Sequence, residues 1–154
     1  MVAATARQRR FAPDRFDFAM AGAADENEEP QPVALLADEA ETVSLTVDLA
    51  DVERLAFLVV PARAEWKPRQ HLPCEEALPP AMIDILATGF ELTIRTDTML
   101  SLFVSHEEGR LELLMDRDFA ADFAAEFRAF ACLVEAERKA RLEKARRASA
   151  SRLH

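Results

Sequence analysis

Tyrosine is absent from this 154-residue chain, and glycine, histidine, cysteine and tryptophan are scarce at three, three, two and one residues. The glycines, Gly22, Gly89 and Gly109, stand far apart. The turn that binds a dinucleotide and the loop that cradles a nucleoside triphosphate each need clustered glycines to bring backbone N–H groups onto phosphate, so neither can be written here. HExxH, GxSxG, EF-hand and CxxC patterns are missing as well. Without tyrosine, and with so few histidines, groups that exchange a proton near neutral pH are few.

Cys74 and Cys132 lack the dense, even spacing of a disulfide framework, which points to a reducing, cytoplasmic location. No apolar run of signal-peptide length follows Arg7, Arg9 and Arg10, because Asp14, Arg15 and Asp17 interrupt it. The longest apolar run, residues 55–62, is under half of the roughly 20 residues a bilayer helix needs, so no membrane contact is expected. Half of the residues are hydrophobic and 31 % are charged, a balance that suits one water-soluble domain.

The net charge of −9 conceals a polarity along the chain. Residues 1–10 carry +3, residues 11–137 set 9 basic against 27 acidic side chains, and residues 138–154 set 7 basic against 1 acidic. The acidic body repels nucleic acid and anionic lipid, whereas the basic end could meet phosphates, an acidic partner or the body itself.

Residues 1–32 read as a flexible N-terminal arm, charged and small, closed by Pro30 and Pro32. Phe11, Phe16 and Phe18 interrupt it. Phe16 and Phe18 lie two apart and share one side of an extended chain, as in a peptide that adds a strand to a partner's sheet. The folded domain is expected over 33–136. Val43, Leu45, Val47 and Leu49 alternate with polar residues, which predicts a strand over 42–49. Residues 50–60 suit either a helix, with Val52, Leu55 and Val59 on one face, or a buried strand through Phe57–Val60. The stretch 61–79 is a long proline-rich connection holding Trp66, Lys67 and Arg69, a composition typical of contact surfaces. Pro79 and Pro80 suggest a short helix to Thr88, stopped by Gly89.

Alternation over residues 90–115, broken at Thr98 and at Glu107–Gly109, predicts a three-strand antiparallel meander. From Arg117 to Arg147 there is no proline or glycine, and Phe119, Phe123, Phe127, Phe130 and Val134 recur at helical steps. One long helix over 117–147 follows, its stripe covering the sheet. Beyond Val134 only Leu142 is large and apolar, so residues 137–154 should project as a basic helical tail. The fold is therefore expected to be α+β: an antiparallel sheet of about four strands, made from the 90–115 meander and strand 42–49, covered by the C-terminal helix.

Site chemistry is thin. His71 and Cys74, with Glu75, or with His106 and Glu107, are the only residues spaced for a nucleophile–base pair or a mixed metal site, and they lack the paired ligands that zinc centres use. The reading is a non-enzymatic, protein-binding module without cofactor or metal: a small adaptor, assembly subunit or regulator. Its expected contacts are Phe11, Phe16, Phe18, Trp66, Arg138, Arg141, Arg146 and Arg147. The alternative is a nucleic-acid-binding regulator that uses the basic helix 138–152; a small enzyme or metal site at His71 and Cys74 stands third.

Overall fold

A computed structural model describes residues 8–22, 28–59 and 78–152. The alternation over 89–116 becomes β6 (Gly89–Ile94), β7 (Met99–His106) and β8 (Gly109–Asp116), paired antiparallel. Leu100, Leu102 and Val104 lie opposite Met115, Leu113 and Leu111, and all six are buried. Thr96 shapes the β6–β7 turn, its hydroxyl accepting the N–H of Met99 at 3.0 Å.

The first half of the chain repeats this order. β2 (Arg15–Ala21), β3 (Gln31–Ala37) and β4 (Thr42–Thr46) form a second antiparallel meander, followed by helix α1 (Leu49–Val59) as β8 is followed by helix α2 (Arg117–Arg152). Each half also lends a strand to the other. β1 (Gln8–Phe11) lies parallel to β8, and β5 (Met82–Leu86) lies parallel to β4. Among the described residues the outcome is two mixed four-stranded sheets, β1-β8-β7-β6 and β2-β3-β4-β5. The chain passes between them at Ala87–Thr88: the Ala87 N–H still bonds Thr46 of β4, and the Thr88 N–H already bonds Ser105 of β7.

Both sheets and both helices share one hydrophobic core. Asp116 caps α2, its side chain accepting the N–H of Asp118 at 2.8 Å and of Phe119 at 3.4 Å. Phe123 and Phe127 of α2 are fully buried, each stabilising the fold by about 1.5–3 kcal/mol through apolar transfer. They meet β2: Phe18 stacks on Phe127 and Phe130 with ring centroids 5.4 and 5.5 Å apart, and Phe16 meets Phe119 and Phe123 edge-on at 5.3 and 5.6 Å.

Several expectations are corrected. The flexible arm does not hold for residues 8–21, which form β1 and β2, nor for 31–32, which begin β3. The charges between Phe16 and Phe18 occupy the outer face of a half-exposed strand, a pattern that a short segment shares with a solvated tail. The domain therefore begins before residue 33. The sheet is two mixed sheets rather than one antiparallel sheet. The helix expected between Pro80 and Thr88 is β5, where Ile83 and Ile85 face inward. Strand 42–49 ends at Thr46, because Leu49 opens α1, which settles 50–60 as helix through Val59. The C-terminal helix runs on to Arg152, past the expected end at 147. Trp66, His71, Cys74 and Glu75 lie outside the described residues.

The β2 assignment is testable. Phe18→Ala should lower stability by about 2–4 kcal/mol, as truncation of a core aromatic does, when measured by urea unfolding; a solvated arm would leave the midpoint unchanged.

Candidate functional site

The residues expected to bind a partner separate into two groups. Phe11 is 3 % exposed, and Phe16 and Phe18 are packed on the core, so their rings are spent on folding. Arg138 and Arg141 fasten α2 to the β2–β3 connection. Arg141 donates to the carbonyls of Gly22 and Glu28 at 2.9 and 3.1 Å and to Glu137 at 2.9 Å. Arg138 reaches both oxygens of Glu135 at 2.8 and 2.9 Å and Glu29 at 3.0 Å. Those hydrogen bonds, Glu135 first and Glu29 second, hold the Arg138 guanidinium above its ordinary pKa. Gly22 makes the clasp possible: its φ of +79° suits glycine, and a Cβ there would stand 3.3 Å from Glu28 and from the Glu29 carbonyl.

Past Arg141 the helix has no buried residue. Residues 142–152 rise about 16 Å, and carry Lys144, Arg146, Arg147 and Arg152 against Glu143 alone. Arg147 pairs with Glu143 at 2.7 Å. Arg146 and Arg147 are exposed. No helix among the described residues is long and apolar enough to cross a membrane.

A second feature was not visible in the sequence. A cleft of about 700 Å³ opens where β5 passes the β7–β8 turn. Val43, Ile83, Ile85 and Leu111 supply apolar surface; Asp84, His106, Glu107 and Glu108 supply ionisable groups, with Arg9 and Thr88 beside them. Arg9 is paired with Glu41 of the β3–β4 turn, so the carboxylates dominate the charge. Its size is that of a small-ligand or peptide pocket. Among the described residues no three His, Cys, Asp or Glu side chains are grouped to hold a metal ion. The sequence signal for this cleft was Asp84 between two isoleucines, which reads equally well as a helix turn, and its partners come from residues 20 or more positions away. Another groove, of about 740 Å³, runs between α1 and the start of β6, beside Phe57, which is 74 % exposed.

The outer face of the first sheet holds a buried carboxylate. Glu112, 4 % exposed, accepts from Arg10 at 2.5 Å, from Arg95 at 2.7 Å and from Ser101 at 2.8 Å. Arg110 lies 3.9 Å above the Phe103 ring beside it. These donors, Arg10 foremost, outweigh desolvation and hold the Glu112 carboxyl at about 2, below its ordinary 4.5. The cluster braces β1 against β8, β7 and the end of β6, and its arginines are committed to it.

Comparisons with protein-family models, with curated proteins and with solved structures find no match.

A carboxyl that ionises more readily folded than unfolded adds stability above its unfolded pKa and loses it as pH falls toward the folded one. For Glu112 that window runs from 4.5 down to about 2. Glu112→Gln should therefore be less stable than the parent chain near neutral pH, and urea unfolding should show the gap closing across that window.

Proposed function

We propose that the protein is a non-enzymatic interaction module, a small cytoplasmic adaptor, assembly subunit or regulator, that engages a protein partner through the end of α2. The observation that carries this reading is the run 142–152. It stays helical and basic although none of its residues is buried. A helix held by tertiary packing gains nothing from three further turns in water, since short helical extensions are marginal on their own. Those turns present charge at a fixed angle, because the Arg138 and Arg141 clasp sets the direction in which α2 leaves the core. An acidic protein surface would complement this basic run.

The same run also favours a second reading, contact with nucleic-acid phosphates. It differs in salt dependence: neutralising a few phosphates makes affinity fall steeply as salt rises.

Capture with the tagged full chain and with a chain ending at Arg141, each with and without nuclease, separates these readings. Because residue 142 onward covers no core, the shortened chain should keep its unfolding midpoint. It should also lose a protein partner that the full chain retains after nuclease. Loss of all partners on nuclease treatment would favour the phosphate reading; equal capture by both chains would remove the helix end as the contact.

A further inference from the structure

The cleft beside β5 has a property that its side chains alone do not show: one wall of it is the edge of a strand. Ile83, Asp84, Ile85 and Leu86 all line it. Consecutive residues of a strand point to opposite faces, so a hollow lying against one face would meet only alternate ones. Four in a row, with Val43 of β4 beside Ile83, means that the hollow lies over the inner face and also reaches the strand's outer side.

That side is open. β5 is the last strand of its sheet among the described residues and pairs with β4 alone. The Ala81 carbonyl accepts the Thr42 N–H at 2.8 Å, and the Ala87 N–H bonds the Thr46 carbonyl at 3.0 Å. The odd-numbered residues therefore turn their backbone groups to β4. By the period of two, the N–H and C=O groups of Met82, Asp84 and Leu86 turn the other way, toward the cleft. An exposed ladder of this kind is a template for a further strand.

We propose that the edge of β5 receives an extended, basic segment of a partner protein as an added strand. This rests on the interaction-module reading and gives it a second, separate surface. The chemistry of the segment follows from the walls. Half-buried Ile83, backed by the buried Ile85, Val43 and Leu111, gives an apolar floor to side chains at every second position. Asp84, Glu107 and Glu108 bring carboxylates to the cleft, and Arg9 is already held by Glu41, so lysines or arginines suit the intervening positions. β5 has five residues, about 16 Å of ladder, enough for a short segment and no more. Glu107 and Glu108 form the two-residue turn between His106 and Gly109, where charge serves neither the core nor a pairing seen in the fold.

The test uses the full chain and a fluorescein-labelled heptapeptide alternating lysine and valine, read by fluorescence anisotropy. Two variants leave the core in place. The pair Glu107→Lys and Glu108→Lys reverses charge at an exposed turn, and Leu86→Pro removes an N–H that β4 does not use; urea unfolding confirms that each folds. The expected result is saturable binding, weakened about tenfold or more by each variant, and absent for a glutamate–valine peptide and for a lysine–valine peptide N-methylated at alternate residues. No saturable binding, equal binding of the N-methylated peptide, or binding unchanged in both variants overturns the proposal. A dimer of the parent chain that dissociates in the Leu86→Pro variant also overturns it, by giving the edge to a second copy. Peptide binding that disappears only in the chain ending at Arg141 assigns the contact to α2 and overturns it too. Failure here with partner capture through α2 intact removes this surface alone; failure of both removes the interaction-module reading.

Discussion

The aromatic face of α2 needs a surface as wide as itself, and β2 supplies it. Phe119, Phe123, Phe127 and Phe130 recur along one side of the helix, and Phe16 and Phe18 meet them ring to ring. Aromatic contacts add stability beyond the area they bury, and they also fix geometry, because edge-on and offset stacks hold rings at definite spacings. Once these rings interlock, the register of β2 against β3 decides where the following turn falls. That turn places Gly22 and Glu28 under Arg141, and the direction of the free end of α2 follows.

The exchange of first strands ties the two halves to each other. β1 completes the sheet of the second half and β5 that of the first, so each meander is flanked on one side by a strand from the other half. Such contacts are distant in sequence, and closing them costs chain entropy that local pairing does not. Side-chain charge reinforces the exchange on the β1 side, where Arg10 bonds Glu112 and Arg9 pairs with Glu41. On the β5 side the backbone ladder to β4 is accompanied by the Thr42 hydroxyl bonding the Pro79 carbonyl. Among the described residues no strand covers the free edge of β5, beside Asp84, while the first sheet pairs Arg10 and Arg95 with Glu112.

Charge is therefore sorted by location. In the clasp at Arg138 and Arg141 and in the cluster around Glu112, opposite charges neutralise one another and hold elements together. At the end of α2 and in the cleft beside β5, charge of one sign accumulates where no packing requires it. Accumulated charge at a surface contributes to steering and recognition more than to folding.

Long, strongly periodic segments were legible from the residues alone. Alternation over 90–115 marked three strands, and helical spacing from Phe119 to Val134, uninterrupted by proline or glycine, marked the C-terminal helix. The exposed basic end of that helix was legible for the same reason: Leu142 alone is large and apolar there, too little to demand cover. Phe11, Phe16 and Phe18 were misread because two or three apolar residues among charges carry no statement of what lies opposite them; β8 for Phe11 and α2 for Phe16 and Phe18, about a hundred positions away, decided that they belong to the core. β5 was hidden by Pro79 and Pro80, which suit a helix start as well as a strand entry. The cleft was out of reach, since it joins Asp84 to Glu107 and Glu108 through a topology in which strands leave their own half of the chain. Periodicity reports which face of an element is buried, and the sequence by itself determined that much. Which elements meet is set by long-range pairing and by the fit of rings across the core, and only the tertiary structure decided it.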